Sequence, residues 1–268
     1  MKRVLAAFQF LTIIPIRITG ELPERDIAAS SVFFPLVGFF QGALLAVISF
    51  ISLKLFSPSI TSVLVIAAYL LTNGGFHQDG LSDTFDALSV KSTGDAGKDR
   101  QKRLAVMRDS TTGPIGITAI ALTLLFKFIL LKEVLETPGH ISLNPVIFLL
   151  PVISTWSMTM MMPGARSARD DGLGKIFLGK VNAAHACLAT ILLLLLSCLI
   201  YLATGRPPYT NAATFVFFFI PAALACLCAG YALRRICTYR FGGLTGDNLG
   251  MIREITEILL LFAAVLSF

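Results

Sequence analysis

The stretch Asn73-Gly-Gly-Phe-His77-Gln-Asp79-Gly-Leu-Ser-Asp83-Thr-Phe-Asp86 carries three carboxylates at offsets of four and three. On a helix this spacing stacks Asp79, Asp83 and Asp86 along one face, about one turn apart. Charges so placed repel one another. A hard, oxygen-seeking cation such as Mg²⁺ relieves the repulsion, because it takes carboxylate oxygens and keeps positions open for phosphate oxygens. The plain alternative is a solvated acidic helix face. Acidic residues number only 16 in this chain, and six of them fall between Asp79 and Asp109. The run also follows an apolar stretch through Gly74 and Gly75, which places its start at or within a bilayer interface, where ionisable groups are usually functional.

Three further polar runs could serve the same chemistry. Arg100-Gln-Lys102-Arg103-Leu-Ala-Val-Met-Arg108-Asp109-Ser110-Thr-Thr-Gly113 offers cations for phosphates, with Ser110, Thr111 and Thr112 as candidate caps of the next helix. Taken alone, basic residues there are also what membrane orientation requires. Asp170-Asp171-Gly-Leu-Gly174-Lys175-Ile-Phe-Leu-Gly179-Lys180 combines backbone amides freed by glycine with lysines, but lacks the spacing and preceding strand of a Walker loop. Gly242-Gly243-Leu-Thr245-Gly246-Asp247-Asn248 is a glycine-rich turn able to cap a final helix.

The elements that position these runs are membrane helices. Hydrophobic residues make up 55% of the 268 and charged residues 14%, and the mean hydropathy is +0.78. That composition belongs to a bilayer, which a helix of about 20 apolar residues crosses. Uncharged runs predict spans over 31–53, 112–131 (interrupted by Lys127), 141–162, 181–204 and 207–233, with weaker ones over 59–76 and 258–268. The expected fold is therefore an all-α, polytopic membrane helical bundle of about seven spans, forming one domain over residues 1–268. The stretch 4–16, too short to cross, is expected as an N-terminal interfacial helix.

Loops 73–111, 163–180 and 234–254 then share one face with the N-terminal arm, and together these segments hold 18 of the 22 Lys and Arg residues. The positive-inside rule sets that face in the cytoplasm. The net charge of +6 accordingly reads as orientation in the lipid bilayer and attraction to phosphates, with no nucleic acid implied. The five cysteines and three histidines have no metal-knuckle spacing, so neither a zinc site nor a disulfide framework is expected. Whether the chain forms a homo-oligomer is left open.

Read together, Gly74-Gly-Phe-His77-Gln-Asp79-Gly-Leu-Ser-Asp83-Thr-Phe-Asp86, Met107-Arg-Asp-Ser110 with Gly113, Asp171-Gly-Leu-Gly174 with Gly179-Lys180, and Gly243-Leu-Thr-Gly-Asp247 resemble the cobalamin synthase family, the adenosylcobinamide-GDP ribazoletransferases. The order and spacing match over nearly the whole chain, including Phe33-Phe-Pro35-Leu-Val-Gly38. Ala87 stands where the family commonly has Gly, and Thr111 where it usually has a basic residue. The resemblance implies a Mg²⁺-dependent enzyme of the bacterial inner membrane. Its substrates would be adenosylcobinamide-GDP and α-ribazole or its 5′-phosphate, and its products adenosylcobalamin or its 5′-phosphate and GMP.

Breaking a pyrophosphate needs charge neutralised on the transferred phosphorus and on the departing nucleotide. On this reading Asp79, Asp83 and Asp86 hold Mg²⁺, and one of them or His77 accepts the proton of the attacking hydroxyl. Arg108 and Lys180 steady phosphate oxygens, while Asp109 and Asp247 either orient those cations or complete the metal shell. Two other readings are weighed against this one. A CDP-alcohol-type membrane phosphotransferase also displays spaced aspartates, but its signature separates them by Ala-Arg and a longer gap, whereas here all three lie within eight residues. An ion-coupled transporter would carry ionisable groups within its spans, which on the sequence hold little besides Lys127.

Overall fold

The structure is a computed structural model that describes residues 1–136, 143–204 and 212–267. Among these the helices run in order as α1 (Lys2–Leu11), α2 (Glu24–Ala29), a 3₁₀ turn (Ser30–Phe33), α3 (Phe34–Ser52), α4 (Pro58–Asn73), α5 (Phe76–Ser89), α6 (Ala96–Val106), α7 (Pro114–Glu136), α8 (Pro145–Met161), α9 (Leu173–Phe177), α10 (Ala183–Thr204), α11 (Ala212–Phe241) and α12 (Gly246–Leu266). His140 and Arg206 lie outside the described residues, as do the first residues of the spans expected over 141–162 and 207–233. Within the described residues the fold is the all-α membrane bundle expected from the sequence.

Several boundaries follow from local chemistry. Ser57 and Asn144 accept backbone N–H bonds ahead of Pro58 and Pro145, where proline's fixed φ and missing donor suit a first helical turn. Thr245 and Asn248 form a reciprocal capping box that opens α12. The bundle then packs through small residues. A Cβ on Gly38 would stand 2.4 Å from the Pro151 carbonyl oxygen, and one on Gly42 2.1 Å from that of Phe148, so α3 and α8 touch backbone to backbone. Large apolar side chains such as Phe40, Leu125, Leu195 and Phe217 point outward along α3, α7, α10 and α11, which a lipid environment tolerates and water does not.

The structure provides a helix for each of the seven expected crossings, α3, α4, α7, α8, α10, α11 and α12. Four stretches are long and apolar enough to cross unaided: Glu24–Ser52, Pro114–Glu136, Ala183–Thr204 and Phe215–Phe241. A fifth is counted if α4 and α5 form one span, but they are bent by 88° at Gly74 and Gly75, and α8 is a shorter apolar helix. The last helix corrects the sequence reading. It begins at Gly246, not at 258, and it takes Arg253, Glu254 and Glu257 inside the bundle, where all three are fully buried. Arg253 is therefore no loop charge, and the spans are not nearly free of ionisable groups.

These charges cancel one another. Lys127 Nζ lies 2.6 Å from Glu254 Oε2 and 2.5 Å from Glu257 Oε2, and Arg253 Nε lies 3.2 Å from Glu257 Oε1. Tyr69 Oη and Ser154 Oγ donate to Glu257 Oε1 at 2.5 and 2.9 Å, and Arg253 Nη2 donates to Gln41 Oε1 at 2.9 Å. Two cations, two carboxylates and their neutral partners thus tie α3, α4, α7, α8 and α12 together in the bundle interior. A buried ion is tolerable only with such pairing.

Candidate active site

Helix α5 carries the aspartates, and its placement starts from two glycines. Gly74 (φ 63°) and Gly75 (φ 72°) are both left-handed, a conformation that costs glycine little, and they turn the chain out of α4. Helix α5 then lies against α12 and the start of α7. A Cβ on Gly80 would stand 2.8 Å from the Asp247 carbonyl oxygen, so the helices cross at closest approach beside the site. Polar bonds lock the register. Gln78 Nε2 donates to Glu254 Oε1 at 2.9 Å, and Asn248 Nδ2 donates to Thr84 Oγ1 at 3.0 Å.

His77 belongs to this locking set. Its ring is fully buried and its Nε2 meets Arg253 Nη1. A guanidinium can only donate, so Nε2 accepts and the ring proton resides on Nδ1, which has no partner. The ring faces the buried charges on α12.

The three aspartates are not equivalent. Asp86 Oδ2 accepts from Gly113 N at 2.7 Å and Oδ1 from Gly116 N at 2.8 Å, so its carboxylate caps the start of α7 from another helix. Cβ atoms on Gly113 or Gly116 would collide with that carboxylate at 2.6 and 2.4 Å. Asp79 lines an open hollow of about 410 Å³ together with Gly74, Gln78, Ser82 and Thr112. Asp83 is half-buried, and its carboxyl is pushed up to about 7, first by burial and then by the charges of Asp79 and Asp247.

Asp247, in the first turn of α12, joins this cluster. Its Oδ2 stands 3.1 Å from Arg169 Nη1, close enough for an ion pair but out of line for a hydrogen bond, so it is a buried acceptor without a hydrogen bond. Among the described residues no three His, Cys, Asp or Glu side chains form a ready-made metal cage. The chemistry of the set still fits Mg²⁺, which usually takes one or two carboxylates and completes its shell with water and substrate phosphates. Asp79 on an open hollow and the orphaned oxygen of Asp247 are such a pair.

Of the remaining expected residues, Arg108 is linked to this region through Asp171, while Asp109 and Lys180 make contacts of their own. Arg108 Nη2 donates to both Asp171 oxygens at 2.9 Å, joining the loop before α7 to the loop before α9, with both side chains more than half exposed. Asp109 accepts from Thr111 N at 2.9 Å and Thr111 Oγ1 at 2.7 Å, which holds its carboxyl below the usual carboxylate range. Lys180 pairs with Glu24 of α2 at the exposed rim, which likewise lowers the Glu24 carboxyl. Sequence reasoning did not single out Arg169, Gln78 or the buried charges of α12. The one available signal was Lys127, a cation inside an otherwise apolar run, which implies carboxylates somewhere opposite.

Comparison with known proteins places this arrangement in context. The family described as cobalamin-5-phosphate synthase matches residues 3–265. Proteins named adenosylcobinamide-GDP ribazoletransferase are similar over nearly their full length. The one from Thermodesulfovibrio yellowstonii is 34% identical over 268 residues, covering 100% of this chain and 97% of the relative. That of Geotalea daltonii is 30% identical, covering 99% and 97%, and that of Clostridioides difficile 32%, covering 97% and 96%. No solved structure matches the chain.

Proposed function

The chain belongs to the cobalamin-5-phosphate synthase family, and on that premise we propose that it joins adenosylcobinamide-GDP to α-ribazole or its 5′-phosphate, releasing GMP. In this reaction an oxygen of the acceptor hydroxyl bonds to the phosphorus that carries adenosylcobinamide. The bond from that phosphorus to the bridging oxygen breaks, and GMP leaves with the electron pair. The hydroxyl proton must go to a base.

The observation that carries the reading is the grouping of three interacting carboxylates, Asp79, Asp83 and Asp247, with Asp79 on one open hollow and Asp247 on a neighbouring one. Asp79 and Asp247 would hold Mg²⁺, which when bound neutralises charge on the pyrophosphate oxygens. Asp83 is the carboxylate we assign to take the proton, since its high proton affinity matches a base working near neutrality. The wider expectation of a metal on all three α5 aspartates is thereby narrowed. Asp86 fixes the end of α7, and His77 positions α5 through Arg253. Arg108 and Lys180 are accessible ion-paired cations, and an incoming phosphate would exchange for Asp171 or Glu24.

The same proposal places the protein across the bacterial inner membrane in seven crossings, with the polar end in the cytoplasm. The basic bias of that end supports this orientation. Purified protein incubated with Mg²⁺, adenosylcobinamide-GDP and α-ribazole 5′-phosphate should release GMP and a new corrinoid in equal amounts by chromatography. Absence of both from folded protein would refute the assignment.

A further inference from the structure

We propose that the hollow of about 170 Å³ lined by Arg169, Lys175, Gly172 and Gly174, and also by Asp171 and Asp247, is a subsite for one phosphate of the pyrophosphate ester, gripped by the free edge of the Arg169 guanidinium. The identity of the ester rests on the proposed transfer reaction; the subsite rests on geometry.

The backbone around Arg169 is pinned. Ala168 N donates to Leu244 O and Leu244 N to Arg166 O, both at 2.8 Å, in a parallel bridge that ties the loop after α8 to the turn before α12. Ser167 Oγ donates to Arg169 O at 2.7 Å. On this anchor the side chain is 15% exposed, with Nη1 3.1 Å from Asp247 Oδ2. The other two donor nitrogens, Nε and Nη2, are buried and hydrogen-bond to nothing.

Which donors are free decides the matter. Nε–H and one Nη2–H lie on the same edge of the guanidinium and run nearly parallel, a fork that matches two oxygens of one phosphate. A buried donor left without an acceptor is costly, and more so when it is charged. Two on one edge of a side chain that borders the hollow point to a ligand that completes them. The local carboxylates do not compete for that edge. Asp247 is on the Nη1 side, and Asp171 is held by Arg108. Lys175, whose Nζ is 2.5 Å from the Asp170 carbonyl oxygen, adds a second cation at the mouth. Gly174 has no room for a side chain, since a Cβ there would stand 2.5 Å from Gly246 N. The volume admits a phosphate. Arg169 also acts electrostatically on Asp83, so a phosphate on the fork lies at the carboxylate cluster.

Arg169→Lys tests the fork, because it keeps the charge near Asp247 but cannot offer parallel donors; Arg169→Gln is the second variant should the first fail to fold. Steady-state kinetics should show KM for adenosylcobinamide-GDP rising about tenfold or more, with KM for the ribazole unchanged. A parallel rise in Ki for GMP as product inhibitor identifies the gripped phosphate as the one that leaves. A rise in KM alone identifies it as the one transferred, and either outcome supports the subsite. Unchanged KM and Ki in a variant of an active enzyme would overturn it and leave the transfer reaction standing. If the folded wild type shows no turnover, the transfer reaction falls, and calorimetry with inorganic pyrophosphate then judges the subsite. Binding weakened about tenfold in Arg169→Lys upholds it, and equal binding removes it.

Discussion

Lys127→Met asks whether the buried charges hold the active-site helix in place. The wild-type interior holds Lys127 and Arg253 against Glu254 and Glu257, a neutral set with every member at most 4% exposed. Methionine fills a similar volume but removes a cation within 2.6 Å of one carboxylate and 2.5 Å of another. The interior is then left with two carboxylates and one guanidinium. Breaking a buried pair in this way typically costs about 3–5 kcal/mol, most of it from the uncompensated charge. The double variant Lys127→Met with Glu254→Gln restores neutrality, since Arg253 still faces Glu257 and the amide still offers an oxygen to Gln78. It should therefore be less destabilised than the sum of the two single variants by at least about 1 kcal/mol. Unfolding in mixed dodecyl maltoside and dodecyl sulfate micelles, followed by circular dichroism, measures all four proteins. A loss under about 1 kcal/mol for Lys127→Met, or strict additivity in the double variant, would refute the claim that these groups form one compensated set.

Asp79→Asn and Asp83→Asn should each lower GMP release, with added Mg²⁺ restoring part of the activity in the milder variant; a merely solvated acidic face would lose repulsion and keep its turnover. Because the Asp83 carboxyl is raised, it retains its proton to about pH 7, and deprotonation is what the fold penalises as pH climbs to that point. Infrared difference spectra in chelator should show a carboxyl titrating near pH 7 that vanishes in Asp83→Asn, and a wild-type spectrum without that band would remove Asp83 as the base. Asp86→Ala strips two amide caps from α7 and should cost up to about 2 kcal/mol by the same micelle assay. In a cysteine-free background, Asp95→Cys and Gly172→Cys should resist an impermeant thiol reagent in intact cells while Ser57→Cys reacts, and the reverse pattern would invert the proposed orientation.

How much of this was legible in the sequence depended on range. Local patterns read correctly: the apolar runs became helices, and the offsets of Asp79, Asp83 and Asp86 became one helix, α5, joined to α4 through the Gly74–Gly75 turn. What failed was anything settled by a partner far along the chain. Arg253, Glu254 and Glu257 look like loop residues because three charges within five positions forbid an isolated span, and only Lys127 on another helix makes them tolerable. Asp86 looks like its neighbours until the amides of Gly113 and Gly116 arrive at both oxygens. Arg169 was one basic residue among many, and its distinction, an edge left free, exists only once Asp247 has taken the other side.

Helix α12 explains why the site and the membrane core cannot be considered apart. Its first turn supplies Asp247 to the carboxylate cluster and Asn248 to Thr84 of α5; two turns further in, Arg253 and Glu254 reach His77 and Gln78 of the same helix. Helix α5 is therefore held on α12 at both ends of the segment that presents Asp79 and Asp83. Carboxylates that repel one another would drift apart on a mobile loop and would lose the focus needed to bind a cation and a pyrophosphate together. Fixing them to a helix whose polar anchors are buried in an apolar bundle makes drift costly, since any sliding of α5 strands charges in a place where water cannot replace their partners. The buried charges thus act as preorganisation for the surface ones, and a membrane interior is a medium in which that coupling is strong.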